Sequence, residues 1–336
     1  MTETGITVEI CAEGLASALA AGQGGADRVE LCDDLAIGGV MPFGWTVLDV
    51  CEGLAIPVHV LVRPRGGGFV YDAAEFEMMR GNISWIRACG ASGVVLGLLT
   101  ADGRVDRDRT ARLIAAARPM SVAFHKAFDA ARDPFEALDD LIALGVDRVL
   151  TSGMAPTAMA GLGLLAELHR RASGRIAVMA GGSIALDQIP AILGAGPREI
   201  HLGSAARIGG VTDPGLVRRI VEAASMGMIL HITTRPKWEW ALALGEYRAD
   251  SLATEGFLHG STARQVAGSA DRFFRGRTDL IVLRIDPGKV RAPIRLEKSP
   301  HSDQPFPHIF GPLNLDAVAD VVPLVPDESG AFAWPP

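Results

Sequence analysis

Two short runs in this chain share one spacing: Val8-Glu9-Ile10-Cys11 and Val29-Glu30-Leu31-Cys32. Thiolates are soft ligands that suit Cu(I), an ion that accepts few donors. Two cysteines at matching places on neighbouring strands, Cys11 and Cys32, would make such a site. They could equally be small buried hydrophobes, a common fate of free cysteine. The carboxylates beside them would oppose thiolate formation by like-charge repulsion. Cys51 and Cys89 fall in helical stretches without a paired motif and read as packing residues.

A second chemistry competes for the same region. Arg63 and Arg65 lie in Arg63-Pro64-Arg65-Gly66-Gly67-Gly68, Asp129 follows His125 closely, and Thr151, Ser152 and His201 each end a β-rich run. Histidine titrates near neutrality, which fits His125 for general acid–base work, with Asp129, Glu9 and Glu30 as carboxylate partners. Gly181-Gly182-Ser183 and Gly203-Ser204-Ala205 could bind phosphate through backbone N–H groups. Arg63 and Arg65 would add anion contacts. This set predicts a lyase, isomerase or hydrolase acting on a small phosphorylated or carboxylated metabolite. Alternatively, Glu9, Glu30 and Arg63 neutralise one another as a buried ion-pair cluster.

The elements that position these groups follow from the hydrophobic pattern. Apolar β-rich runs read as strands at 6–11, 28–32, 57–62, 93–98, 120–125, 147–151, 175–179 and 199–202. Helical spacing links them at 15–21, 44–53, 75–88, 109–117, 135–144, 158–172 and 186–193, and a further helix at 213–224 has Pro214 in its first turn. Strand–helix alternation means parallel strands with crossover helices, and eight units in about 200 residues fit a closed (β/α)8 TIM barrel. An open doubly wound sheet is disfavoured, because no Gly-x-Gly-x-x-Gly turn follows the first strand. Alternation puts Val8, Ile10, Val29 and Leu31 against the outer helices. Glu9, Cys11, Glu30 and Cys32 then point inward, with the two cysteines level and near the C-terminal rim.

The rhythm stops near residue 225. Strands are expected at 229–233, 256–259 and 280–286, and helices at 236–244 and 263–273. The expected division is a barrel over 1–224, a short linker at 225–228, a small α+β domain over 228–325 and a flexible tail over 326–336. In the second domain His231, Thr233, His259, Ser261 and His308 are the candidate site, forming either a pocket for a nucleotide-like ligand or parts of a lid over the barrel.

The formal net charge of −7 argues against nucleic acid and against a polybasic membrane anchor. No apolar run is long enough to span a bilayer and the start lacks a signal-peptide pattern, so the expected location is the cytoplasm. Four cysteines in such a chain are expected to remain thiols.

Several blocks carry a resemblance to a known family. They are Val8-Glu9-Ile10-Cys11, Gly24-Gly25-Ala26-Asp27-Arg28-Val29-Glu30-Leu31-Cys32, Arg63-Pro64-Arg65-Gly66-Gly67, Leu99-Thr100-Ala101-Asp102-Gly103, Phe124-His125 with Ala127-Phe128-Asp129, and Val149-Leu150-Thr151-Ser152-Gly153. In these the chain resembles the CutC copper-homeostasis family from about residue 6 to 207. The resemblance implies a cytoplasmic (β/α)8 protein linked to copper handling, often a homo-oligomer, with Cu(I) ligands at Cys11 and Cys32. No organic cofactor is expected for the barrel. The chain departs from the family in having Lys126 for an arginine and Ser183 for a third glycine. A very short segment, 205–211, also replaces the family's long one after the eighth strand.

The second domain resembles domain of unknown function family 952. The resemblance rests on His231-Ile232-Thr233-Thr234, Tyr247-Arg248-Ala249-Asp250-Ser251-Leu252, Glu255-Gly256-Phe257-Leu258-His259 and Pro307-His308-Ile309-Phe310-Gly311-Pro312-Leu313. It implies a fold like that of the ADP-ribosyltransferases, in which His231 would suit an early-strand role.

Overall fold

The structure, a computed structural model, describes residues 6–225, 228–287, 289–299, 302–327 and 329–334. Met226 and Gly227, in the expected linker, and residues 1–5 lie outside the described residues.

Eight parallel strands close into a barrel in sequence order. They are β1 (Thr7–Glu13), β2 (Arg28–Cys32), β3 (Val58–Leu61), β4 (Gly93–Leu96), β5 (Ser121–Phe124), β6 (Arg148–Thr151), β7 (Ala177–Gly181) and β8 (Glu199–Leu202), with β8 returning to pair with β1. The helices between them are α1 (Gly14–Gln23), α2 (Gly44–Gly53), α3 (Ala73–Ala88), α4 (Arg107–Ala117), α5 (Pro134–Ala143), α6 (Leu162–Ala172) and α7 (Ile189–Gly194). A small hairpin of β9 (Arg207–Ile208) and β10 (Val211–Thr212) precedes α8 (Pro214–Ser225). This is the TIM barrel that the strand–helix rhythm predicts.

Local chemistry sets the helix starts. Asp72 caps α3 by accepting from the Glu75 N–H, while the Glu75 carboxylate accepts from the Asp72 N–H. Asp133 caps α5 ahead of Pro134. Phe76, Met79, Ile83 and Ile86 line one stripe of α3 and are buried, each contributing about 1.5–3 kcal/mol.

Register corrects one expectation. Glu9 pairs with Arg28, Cys11 with Glu30 and Glu13 with Cys32. The two Glu-x-Cys motifs are therefore offset by one pleat rather than level. Closing a barrel requires tilted, staggered strands, and that stagger is invisible in the spacing of either motif.

Contacts divide the chain into two compact units, one of them Ile6–Glu222. The other, described from Ala223 onward, contains three small sheets. Strands β11 (Ile229–Thr234), β14 (Leu280–Ile285) and β18 (Val318–Pro323) form the first. β12 (Glu246–Tyr247) pairs with β17 (Leu313–Asn314), while β13 (Leu258–His259), β16 (Ser302–Ile309) and β15 (Ile294–Ser299) form the third. Helices α9 (Arg235–Leu244), α10 (Asp250–Thr254) and α11 (Ala263–Phe273) complete the unit. Alternation along β14 feeds two cores: Ile281, Leu283 and Ile285 on one face, Leu280 and Val282 on the other. In the tail two described segments make local contacts. Pro326 bridges Phe332, whose ring is 5% exposed and whose N–H donates to Asp271.

Candidate functional site

The barrel interior is polar and tightly paired. Arg28 binds Glu9 and also donates to Glu199 at 2.5 Å, and Arg148 donates to the same Glu199 oxygen at 3.0 Å. Glu9 is fully buried, and its other oxygen lies 2.7 Å from His201 Nδ1. Burial alone would raise the Glu9 pKa, but Arg28 and His201 overcome it and hold the carboxyl well below the usual range. His201 shows the reverse balance. Burial pushes it down, but the carboxylates of Glu30 and Glu9 and the Cys11 thiol lift it well above an ordinary histidine. His59 is buried 3.9 Å from Glu9, and burial lowers it to about 3. The ion-pair cluster anticipated among Glu9, Glu30 and Arg63 therefore exists, but its arginine is Arg28. Strand β2 turns Arg28 inward on the same face as Glu30 and Cys32.

Next to this network lie the thiols. Cys11 Sγ and Cys32 Sγ are 3.4 Å apart, and both residues are almost completely buried. Cys11 also approaches Glu30 Oε1 at 3.7 Å, and Cys32 donates to the Ala12 carbonyl at 3.7 Å. The two sulfurs and a Glu30 oxygen all lie within 4.8 Å of one another, as do ligand atoms of Glu9, Glu30 and His201. The contact with Cys32, together with burial, pushes the Cys11 thiol well up. Burial also raises Glu30, whose Oε2 has no partner. All four cysteines are free, and Cys51 and Cys89 are half-buried, away from this cluster.

The remaining candidates fall into distinct roles. Asp129 is a hub: it accepts from the Thr151 hydroxyl, from Ser152 through N–H and Oγ, from Met154 N–H, and from Lys126 at 3.0 Å. These partners hold its pKa down against burial, so Asp129, Thr151 and Ser152 shape a loop rather than present a free base. Gly182, at φ +118°, lets its turn pass close to Ser152, and a Cβ there would sit 2.8 Å from Ser152 Cβ. Gly181 ends β7, and the exposed Ser204 opens a single turn after β8 whose last residue, Ala206, is buried. Arg65 is exposed and pairs with Glu75, outside the interior. His125 is buried, and burial together with Arg63 holds its pKa at about 3, far from the near-neutral value expected of a general acid or base.

Residue-type reasoning missed Arg28, His59, Arg148 and Glu199. Arg28 and Arg148 open their strands, where a charge reads as a loop boundary, and His59 sits in an otherwise apolar run. Strict period-2 alternation from Glu30 and His201 would have found Arg28 and Glu199.

In the second unit, His231, Thr233, His259, Ser261 and His308 all line one cavity of about 790 Å³. Its floor is a directed chain of hydrogen bonds. His231 Nδ1 lies 2.7 Å from the His259 carbonyl and must donate; Nε2 therefore accepts from the Tyr247 hydroxyl at 2.8 Å. Thr233 Oγ1 lies 2.8 Å from the same hydroxyl. Burial lowers His231 to about 4, so the imidazole is neutral near pH 7. His308 stacks on Phe257 at 4.0 Å between ring centroids and bonds Glu297 at 2.9 Å.

An eight-stranded parallel barrel with a polar centre and a thiol pair near the C-terminal ends of its first two strands defines the class. Within that class the chain belongs to the CutC family, whose sequence pattern matches residues 6–235. A second pattern, described as a protein of unknown function (DUF952), matches 232–321. The family protein CutC of Chromobacterium violaceum is 48% identical over 203 residues, 60% of this chain and 82% of that protein. The human copper homeostasis protein cutC homolog is 44% identical over 198 residues, covering 59% and 72%. The crystal structure of the putative copper homeostasis protein CutC from Streptococcus agalactiae superposes with a TM-score of 0.57. It is 31% identical and covers 59% of this chain and 98% of that one. Among the described residues no helix is long and apolar enough to cross a membrane.

Proposed function

We propose that this protein takes part in copper homeostasis by binding one Cu(I) between Cys11 and Cys32. The observation that carries this reading is the 3.4 Å separation of the two sulfurs. Two soft donors at that distance can share one ion. Cu(I) is satisfied by two thiolates, whereas a structural zinc site needs four ligands. Among the described residues, Glu30 is the one further carboxylate, histidine or cysteine grouped with both sulfurs, and His201 is already held by Glu9. The names of the human and streptococcal relatives support the same reading.

Binding would release the thiol protons and leave the copper in its cuprous state. Cys11 holds its proton tightly, so affinity would rise with pH. The reading also places the protein in the cytoplasm, where thiols stay reduced. Anaerobic loading with Cu(I) tests it spectroscopically. A thiolate-to-copper absorption band at one equivalent is expected in the native protein and absent from Cys11→Ser/Cys32→Ser. An identical spectrum in both would overturn the assignment.

A further inference from the structure

One pleat beyond Leu61, Val95 and Ala123, which pack with Cys11 and Cys32, alternation brings Arg63, Gly97 and His125 to the same side of the barrel. Gly97 leaves room there. A Cβ at Gly97 would lie 2.4 Å from His125 Nδ1, so the imidazole occupies space that any other residue would fill. The loop after β3 adds Phe69 and Tyr71. Phe69 stands 5.1 Å from the His125 ring and 5.1 Å from the Arg63 guanidinium. Arg63, Tyr71 and His125 are 6%, 4% and 5% exposed.

This layer has an unbalanced charge. Arg63 Nη1 donates to the carbonyls of Ile37, Gly38 and Gly39, and Nη2 to that of Gly67. All four are neutral acceptors, and among the described residues no carboxylate lies within 4.0 Å of the guanidinium. A buried cation without a counter-charge is costly. Arg63 Nε, His125 Nε2 and the Tyr71 hydroxyl make no well-aligned hydrogen bond here, although the Arg63 guanidinium stands close enough to the Tyr71 hydroxyl to act on it. Arg63 Nε carries a hydrogen. His125 Nδ1 accepts from the Ala127 N–H at 3.1 Å, and the ring is neutral near pH 7, so its proton is on Nε2. Tyr71 has a hydroxyl hydrogen to give. Most buried donors in native folds are satisfied, and here three poorly satisfied ones cluster beside a buried positive charge that has no carboxylate partner.

We propose that Arg63, Tyr71 and His125 form a binding site for a small oxyanion, the carboxylate or phosphate group of a metabolite that enters the barrel mouth. The anion supplies the missing counter-charge and the missing acceptors together. Arg63 keeps Nε–H and one Nη2–H after its four carbonyl contacts, and with the Tyr71 and His125 donors these come from three side chains and suit oxygens spread around one centre. The site uses no thiol and goes beyond the copper reading.

The test is calorimetric titration of the metal-free full chain with inorganic phosphate and, separately, with acetate, in a buffer free of other oxyanions. One of the two is expected to bind at one site per chain. Preference for phosphate marks a phosphorylated ligand; preference for acetate marks a carboxylated one. Tyr71→Phe removes a single oxygen atom, and His125→Asn keeps an acceptor for the Ala127 N–H while losing the Nε2 donor. Each is expected to weaken binding by about tenfold, the effect of one lost hydrogen bond to a charged group. The His125 Nε2–H proton resonance is expected to shift on anion addition. Binding unchanged in both variants, or no shift of that resonance with either anion, would overturn the site. The copper titration is a separate experiment, and its failure would leave these results standing.

Discussion

Cys11 and Cys32 bring their sulfurs to 3.4 Å even though their backbones stand two residues out of register, Cys11 opposite Glu30 and Cys32 opposite Glu13. The pair is thus a diagonal contact across two parallel strands. The residue level with Cys11 is Glu30, which explains why a carboxyl oxygen approaches the thiol at 3.7 Å. The same stagger sets Arg28 opposite Glu9 and joins the thiols to the buried ionic network below them.

That network separates two buried glutamates by sign. Glu9 is held well below its usual pKa, so its contribution is complete above the unfolded value and is lost as pH falls through the folded one. Glu30 is raised, so it favours the fold only in acid, and that contribution disappears as pH rises. Glu9→Gln removes the buried charge that Arg28 shares with Glu199 and that faces His201, and is expected to cost about 3–5 kcal/mol at neutral pH. Glu30→Gln should stay within about 1 kcal/mol of the native protein or be more stable. Urea unfolding of both variants checks this, and equal losses would contradict it.

Three histidines are buried in the neutral form: His59 and His125 at about 3, and His231 at about 4. The unfolded chain takes up protons at these positions near pH 6.5, where the folded protein does not. Stability is therefore complete above that value and falls as pH drops below it, by up to about 1.4 kcal/mol per pH unit for each histidine. Ring-proton shifts of the three should be flat between about pH 5 and 8. A midpoint near the ordinary value for any of them would show that its burial is misjudged.

Gly97→Ala places a methyl group 2.4 Å from His125 Nδ1. The ring is confined by Phe69 and Phe124 and has little room to move. The expected loss is about 1–3 kcal/mol. Thermal unfolding of the variant with no shift would show that the imidazole is free to swing aside.

In the second unit, Tyr247→Phe leaves His231 Nε2 without its donor and Thr233 without a partner. Both atoms are buried, so about 1–3 kcal/mol should be lost. Hydrogen exchange across β11 reports this directly, and unchanged protection would mean that water replaces the hydroxyl.

Much of the barrel was legible because parallel strands buried on both faces read as short apolar runs between helical stripes. β2 and β8 match their expected bounds. Glu9, Cys11, Glu30 and Cys32 could be sorted inward because a period of two leaves no other face for them. Their relative height could not, because stagger belongs to the closed barrel rather than to any strand. Arg65 shares the inward parity of Arg63 but lies in a loop past the strand, where alternation ends and Glu75 captures it. The environment of His125 was not legible: a histidine at a strand end looks titratable, whereas Phe69, Arg63 and the Ala127 N–H close around this one. In the second unit, β12, β15, β16, β17 and β18 were missed. Pro305 and Pro307 make β16 read as a turn, yet the strand pairs with β15 along most of its length.

One measurement reaches the thiol pair directly: an anaerobic competition titration with a Cu(I) chelator, run on the native protein beside Cys11→Ser/Cys32→Ser. The proposed site predicts one tightly bound copper per chain in the native protein and none in the variant. Equal copper uptake by the two, or none by either, would contradict the proposed metal site.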